Sequence, residues 1–386
     1  MLTHFFVQSA KDMASAYLPL IVQKARPSTD DAHLDAAITW LMRSIDACSG
    51  KASSKGYRFL KGWMPPYPET SGYIIPTLLA LSRERRDPVF RERAVSIGDW
   101  LTGIQMENGG FVGRELGALD RPIVFNTGMI LLGLNALARN EGETRFHEPA
   151  RRASAFLVSC MDDHGCFVRN LSNDKVHTYN VRTAWGLVAF GKTSNCPEYE
   201  QAGLANARWA LTQQCENGFF DQNAFKPDGN ANTHGLAYVL RGLLEIYLLT
   251  GEKRLLDAVR LTADKVVSLY GSRRRIAADL GPGWEYLSSH VCLTGYAQLA
   301  IVLFKLFDLV GDENYLNTAL SLVDDVAAMQ NVTDYDAPHY GGIKGSMPIY
   351  GRYATLQYPN WATKFFIDAL LTKKTTWARY ADRISV

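Results

Sequence analysis

The chain has 386 residues, of which 47% are hydrophobic and 21% charged, and its formal net charge is +2. That length exceeds one ordinary core, so two domains or one large repeat architecture is expected. The near-neutral balance does not predict a nucleic-acid binder, and no run of 18 apolar residues predicts a membrane span.

Residues 1–30 read as an N-terminal arm. They lack a basic region followed by an unbroken apolar run, so no signal peptide is expected and a cytoplasmic location is. The six cysteines, Cys48, Cys160, Cys166, Cys196, Cys215 and Cys292, form no C-x-x-C pair. They read as reduced structural thiols, and neither a metal nor a cofactor is expected.

From residue 31 the chain repeats itself. "QMENGGF" at 105–111, "MDDHGCF" at 161–167 and "QCENGFF" at 214–220 are one phrase written three times, 56 and 53 residues apart. Further steps of 56 and 60 reach Tyr270 and Gln330, each closing an apolar run of helical period. Amphipathic helices are predicted near 31–49, 87–105, 144–160, 197–214, 252–270 and 312–330. Apolar helices are predicted to begin near Ser71, Asn126, Tyr179, Thr233, Val291 and Pro359. Six pairs with a period in the fifties predict an all-α (α/α)6 toroid over 31–386, with the apolar helices inside. In each phrase the glycine reads as a helix C-cap and the phenylalanine as packing under the loop.

Turns from inner to outer helix are short, whereas the returns, about 106–125, 161–178, 215–232, 271–290 and 331–357, are long. Long loops on one face of a rigid barrel are the usual home of a site. That face also holds the inner-helix N-termini, whose dipoles favour an anion. His164, His177, His234, His290 and His339 map there. The candidate acid/base and charge-stabilising residues are His177, Arg182, His234, Tyr238, Glu285 and His290. Aromatic faces stack on sugar rings and polar tips bond hydroxyls. On that ground Trp63, Tyr73, Asn126, Tyr179, Asn232, Trp284, Tyr296, Lys344, Arg352, Tyr353 and Tyr358 are the candidate binding residues.

The repeat resembles the α/α-toroid proteins of the prenyltransferase and squalene-cyclase type, which also carry a glutamine, a glycine and an aromatic at this turn. "NTHGLAYVLRGLLEIY", "CLTGYAQLAIVLFKL", "GGIKGSMPIYGRY" and "YPNWATKFF" resemble phrases of toroid proteins from bacterial exopolysaccharide-synthesis clusters. The resemblance implies polysaccharide biosynthesis and an acidic, uronic-acid-containing oligosaccharide or polysaccharide precursor as partner. In polysaccharide lyases and a glucuronyl C5-epimerase domain of this barrel, a base removes the proton beside the carboxylate. Asn232, His234, Arg182 and Tyr238 are similar in kind to such a lyase set. Hydrolysis instead needs a carboxyl pair, for which Glu69, Glu216, Asp221, Asp279 and Glu285 are candidates. A non-catalytic glycan-binding toroid and an isoprenoid-binding, prenyltransferase-like protein complete the alternatives.

Overall fold

A computed structural model describes residues 28–384, apart from 119, 141 and 226–229. The expected arm therefore lies almost wholly outside the described residues. Among those described there are twelve α-helices in alternating inner and outer sets. The inner helices are α2 (Pro68–Arg85), α4 (Val124–Ala138), α6 (Val181–Ser194), α8 (Thr233–Thr250), α10 (Leu293–Val310) and α12 (Asn360–Ile384). The outer ones are α1 (Asp30–Asp46), α3 (Pro88–Gly103), α5 (His147–Ser159), α7 (Pro197–Leu211), α9 (Lys253–Arg273) and α11 (Glu313–Ala327). Each inner helix packs on the next, and α12 packs on both α1 and α2, which closes the ring. The expected (α/α)6 toroid is the observed fold.

Helix boundaries follow local chemistry. Four outer helices start at polar caps or prolines: Thr29 accepts from Ala32 N, Asp87 from Val89 N and Asp312 from Asn314 N, while Pro88 and Pro197 open α3 and α7. Four inner helices stop at a left-handed residue, Arg86, Asn195, Gly251 or Gly311. Two-residue turns into α3, α7, α9 and α11 follow. Helix α10 is long and apolar enough to cross a membrane, but it is mostly buried as an inner stave of the barrel. A stave buried on every side needs no polar face.

The glutamines of the repeated phrase tie one repeat to the next. Gln105 Nε2 donates to the Gly109 and Pro149 carbonyls, Gln214 Nε2 to Ala258 O and Thr262 Oγ1, and Gln330 Nε2 to His33 O and Gly341 O. The acceptors Pro149, Ala258 and His33 belong to the following outer helix, and the last bond joins α11 to α1. Where methionine replaces the glutamine, at Met161, the bond runs the other way, from Asn206 Nδ2 to Gly165 O.

The glycine is not the helix C-cap the sequence suggests. Helix α3 ends at Gly103, and Gly109 sits in a later turn at φ +87°. Gly165, Gly218 and Gly341 share that left-handed backbone. At Gly341 a side chain would strike the Ala36 carbonyl of α1, so the position requires both the conformation and the close approach. Phe111, Phe167 and Phe219 are buried beneath the turns, as expected.

Candidate active site

The long loops end in short β-pairs that seat the inner-helix N-termini. β1 (Gly56–Arg58) pairs with β2 (Gly62–Trp63) and with β7 (Gln357–Pro359). β3 (Ala231–Asn232) pairs with β4 (Asp279–Leu280), and β5 (Val291–Cys292) with β6 (Ser346–Met347). Between them lies a cavity of about 710 Å³ on the loop face. Its walls come from the starts of α2, α4, α8 and α12 and from the loops between them.

Eight expected residues line this cavity: Asn126, Tyr179, Asn232, His234, Tyr238, His290, Arg352 and Tyr353. Asn232 caps α8 by accepting from His234 N at 3.0 Å, and its amide donates to Asp279 Oδ1 at 3.1 Å. The His234 ring lies 4.2 Å from the Tyr238 ring and 5.5 Å from that of Tyr353, with Nδ1 hydrogen-bonded to Gln298. Burial, and then the nearby Arg182 guanidinium, holds the His234 pKa well below the usual imidazole range. His234 is therefore neutral. Trp361 Nε1 donates to Tyr353 Oη at 2.7 Å and fixes that ring at the mouth.

Nine expected residues lie elsewhere. His177 stacks behind Tyr179 at 4.6 Å, and its Nε2 meets the Ser172 carbonyl at 3.0 Å, so it buttresses the wall. Arg182 is buried with its guanidinium 4.8 Å from the Tyr238 ring and 5.3 Å from that of Phe365. Burial lowers its pKa to about 10. Tyr73 stacks on Phe365 at 5.5 Å in the same core. Trp284 donates to Asn217 O and meets Phe219 edge-on, so it holds the repeated phrase. Tyr296 Oη accepts from Ile276 N at 2.8 Å. Trp63 packs on Trp40 and Tyr57, and Tyr358 on His339. Lys344 is buried outside the cavity lining, and Glu285 is exposed, folded back on the turn at Gly281.

Of the five candidate carboxyls, Glu69 and Asp279 line the cavity, whereas Glu216, Asp221 and Glu285 are exposed and do not. Glu69 occupies the second position of α2, the same place His234 takes in α8. Tyr67 Oη donates to Glu69 Oε2 at 2.9 Å. Lys55 Nζ lies 5.0 Å from the Tyr67 ring centre and pairs with Glu115 at 2.7 Å. Burial pushes the Glu69 carboxyl up to about 7, against the hydrogen bond from Tyr67 and the charges of Lys55 and Arg182. Asp279 stands across from the His290 ring at 3.9 Å. Tyr67, Phe125, Arg114, Arg121, Asp174, Phe225 and Trp361 are among the lining residues that were not candidate site residues. The first turn of each inner helix was the available signal for Glu69 and Trp361. Among the described residues no group of three His, Cys, Asp or Glu could hold a metal ion.

Fold and cavity together define an (α/α)6 toroid with a polar, aromatic-lined pocket at the helix N-termini. No protein-family model matches the sequence, and no curated protein matches it. Solved structures do match. The unsaturated glucuronyl hydrolase of Bacillus sp. GL1, described as responsible for glycosaminoglycan degradation, superposes with a TM-score of 0.72 at 16% identity, covering 89% of this chain and 96% of that one. A D-mannose isomerase gives 0.70 at 13% identity, over 91% and 100%. The cellobiose 2-epimerase of Spirochaeta thermophila DSM 6192 gives 0.69 at 13%, over 92% and 99%. At these identities the likeness is one of fold.

Proposed function

We propose that the protein is a carbohydrate-active enzyme that hydrolyses a glycosidic bond in an acidic oligosaccharide, with Glu69 as the proton donor. One observation carries the reading: a carboxyl inside the cavity whose pKa is raised to about 7 and whose oxygen is held by Tyr67. A carboxyl kept protonated near neutral pH serves as a general acid, and its conjugate base takes a proton back. Glu69 gives its proton to the leaving oxygen as the C1–O bond breaks. Water adds at C1 and loses its proton to Asp279, the second cavity carboxyl. The anionic sugar is favoured by Arg352 and Arg114, which line the cavity with no ion-pair partner among the described residues, and by the ring of helix N-termini. A hydrolase of acidic glycans on the same fold supports this choice of substrate class.

A second reading places C5-proton chemistry at His234 and Tyr238. Their ring contact and the neutrality of His234 favour it. Its weakness is basicity, because burial and Arg182 make the imidazole a poor proton acceptor. The test is incubation of uronic-acid oligosaccharides in H₂¹⁸O and, separately, in deuterated water. One ¹⁸O at the new anomeric carbon with no carbon-bound deuterium supports hydrolysis. Deuterium at C5, or an unsaturated product, overturns it in favour of the second reading. Turnover of neutral sugars alone defeats both.

A further inference from the structure

The cavity accounts for Arg352 but leaves unexplained the three consecutive arginines that end α9. Arg273, Arg274 and Arg275 are all exposed. Arg274 turns over the Tyr270 ring at 5.1 Å. The other two share one aromatic: Arg273 lies 4.4 Å and Arg275 5.9 Å from the centre of the Tyr286 ring. Tyr286 Oη also donates to the Arg275 carbonyl. Both Arg273 and Arg275 are exposed, and neither has a carboxylate partner among the described residues.

This cluster is continuous with the site. Arg275 Nη1 donates to Ser289 O at 3.2 Å, and Leu287, Ser288, Ser289 and His290 line the cavity. On the other side of His290, Gly351 packs against the imidazole, and its neighbour Arg352 lines the mouth. Arg352, Arg275 and Arg273 are thus linked through His290, Ser289 and Tyr286. Exposed Leu287 and Tyr350 flank them. Nearby acids do not neutralise these arginines. Glu285 is folded onto Gly281, Asp279 faces inward to Asn232 and His290, and Asp325 is bound by Tyr270 Oη at 2.7 Å. Guanidinium forks match carboxylate and sulfate oxygens, and a ring between them offers a face for a sugar.

We infer that the Tyr286–Ser289 arm with Arg273 and Arg275 is an outer subsite for an anionic glycan. A chain whose terminal unit occupies the cavity continues over Tyr286 and pairs its acidic groups with these two arginines. The inference rests on the reading of the cavity as a site for acidic oligosaccharides, and it adds that the preferred ligand is longer than the cavity holds.

The test is calorimetric binding of size-defined chondroitin, heparin and polygalacturonate fragments, from disaccharide to octasaccharide, at 50 and 200 mM salt in round numbers. Wild type is compared with Arg273→Gln/Arg275→Gln, whose changes are exposed and leave the barrel intact; thermal unfolding checks this. For at least one polymer, wild-type affinity should rise with chain length. The double variant should lose roughly 2- to 30-fold for the octasaccharide, the combined reach of two exposed ion pairs. It should lose nothing for the disaccharide, and its salt dependence should be shallower. If wild type binds fragments with no length dependence, or the variant binds the long ones equally well, the outer subsite is wrong while the cavity reading stands. If wild type binds no fragment of any polymer, the cavity reading fails and the subsite with it.

Discussion

Tyr67 donates its phenolic hydrogen to Glu69 Oε2 at 2.9 Å, and both residues face the cavity from the N-terminal end of α2, Tyr67 as its N-cap residue. The pair combines opposing effects. Burial favours the neutral carboxyl, whereas the hydrogen bond and the Lys55 and Arg182 charges favour the carboxylate. Burial wins, and the acid titrates at about 7. Glu69→Gln keeps the shape and an acceptor for Tyr67 but removes the proton. Turnover should fall about 10²–10⁴-fold, the usual share of general acid–base catalysis. A Glu69→Gln enzyme with near-normal turnover and a normal fold would remove Glu69 from the mechanism.

The same residue gives a pH signature. A carboxyl with a raised folded pKa binds its proton more tightly when folded than when unfolded. Stability from Glu69 is therefore present at low pH and is lost as pH rises from about 4.5 through about 7. The general-acid form is lost over the upper part of that window. Wild-type turnover should fall above about pH 7. The difference in melting temperature between pH 5 and pH 8 should shrink in Glu69→Gln. An unchanged difference would mean that the folded carboxyl is not shifted.

Tyr67→Phe isolates the hydrogen bond. Because Tyr67 lowers the Glu69 pKa, its loss should raise that pKa further and move the alkaline limb of the pH–rate profile upward. The ring and its contact with Lys55 are retained, so folding should be little affected. A limb that stays in place, or moves to lower pH, contradicts the assignment of that limb to Glu69.

The period was readable from residues alone because each outer helix has to reach the next one. Gln105, Gln214 and Gln330 recur since each must bond the next outer helix, and the inner helices recur as apolar segments since they are buried on all sides. The apolar repeat puts a helix start at Thr233, where Asn232 caps the helix. Side-chain direction was not readable in the same way. Trp284 lies in a loop and Tyr296 in the first turn of α10, yet both bond backbone groups: Trp284 the Asn217 carbonyl of the preceding repeat, and Tyr296 the Ile276 N–H. Arg182 stands one position into α6, but a 3-10 turn, Thr178–Asn180, precedes that helix. It packs against Tyr238 outside the lining, and Tyr179 takes the wall. Glu69 stood out from the other four candidate carboxyls by no motif; only its equivalence to His234 in the repeat marks it.

The repeated phrase should act on stability and not on turnover. Phe219 is buried against Trp284, so Phe219→Ala should cost about 3–5 kcal/mol. Gln214→Ala breaks two bonds to α9, one of them to the Ala258 carbonyl, and should cost about 1–3 kcal/mol. Both follow from denaturant unfolding, with turnover per folded molecule unchanged. A stable variant with specifically lost turnover would place the phrase in the chemistry.

His234 separates the two chemical readings. Its ring is enclosed by Tyr238, Phe225 and Tyr353, and Arg182 lies close enough to oppose its protonation. A histidine with a depressed folded pKa binds protons less well folded than unfolded. Its contribution to stability is therefore present above about pH 6.5 and is lost as pH falls below that value. By nitrogen-detected NMR the His234 ring should stay neutral from pH 8 down through pH 6. In His234→Asn the fall in melting temperature between pH 7 and pH 5 should be smaller than in wild type. If Glu69 carries the proton, His234 shapes the pocket, and His234→Asn should slow turnover less than about 10-fold. That falls short of the 10²–10⁴-fold due to an acid–base partner. A ring that titrates near pH 7, together with a His234→Asn loss matching that of Glu69→Gln, would instead make His234 a base and return the C5-proton reaction to first place.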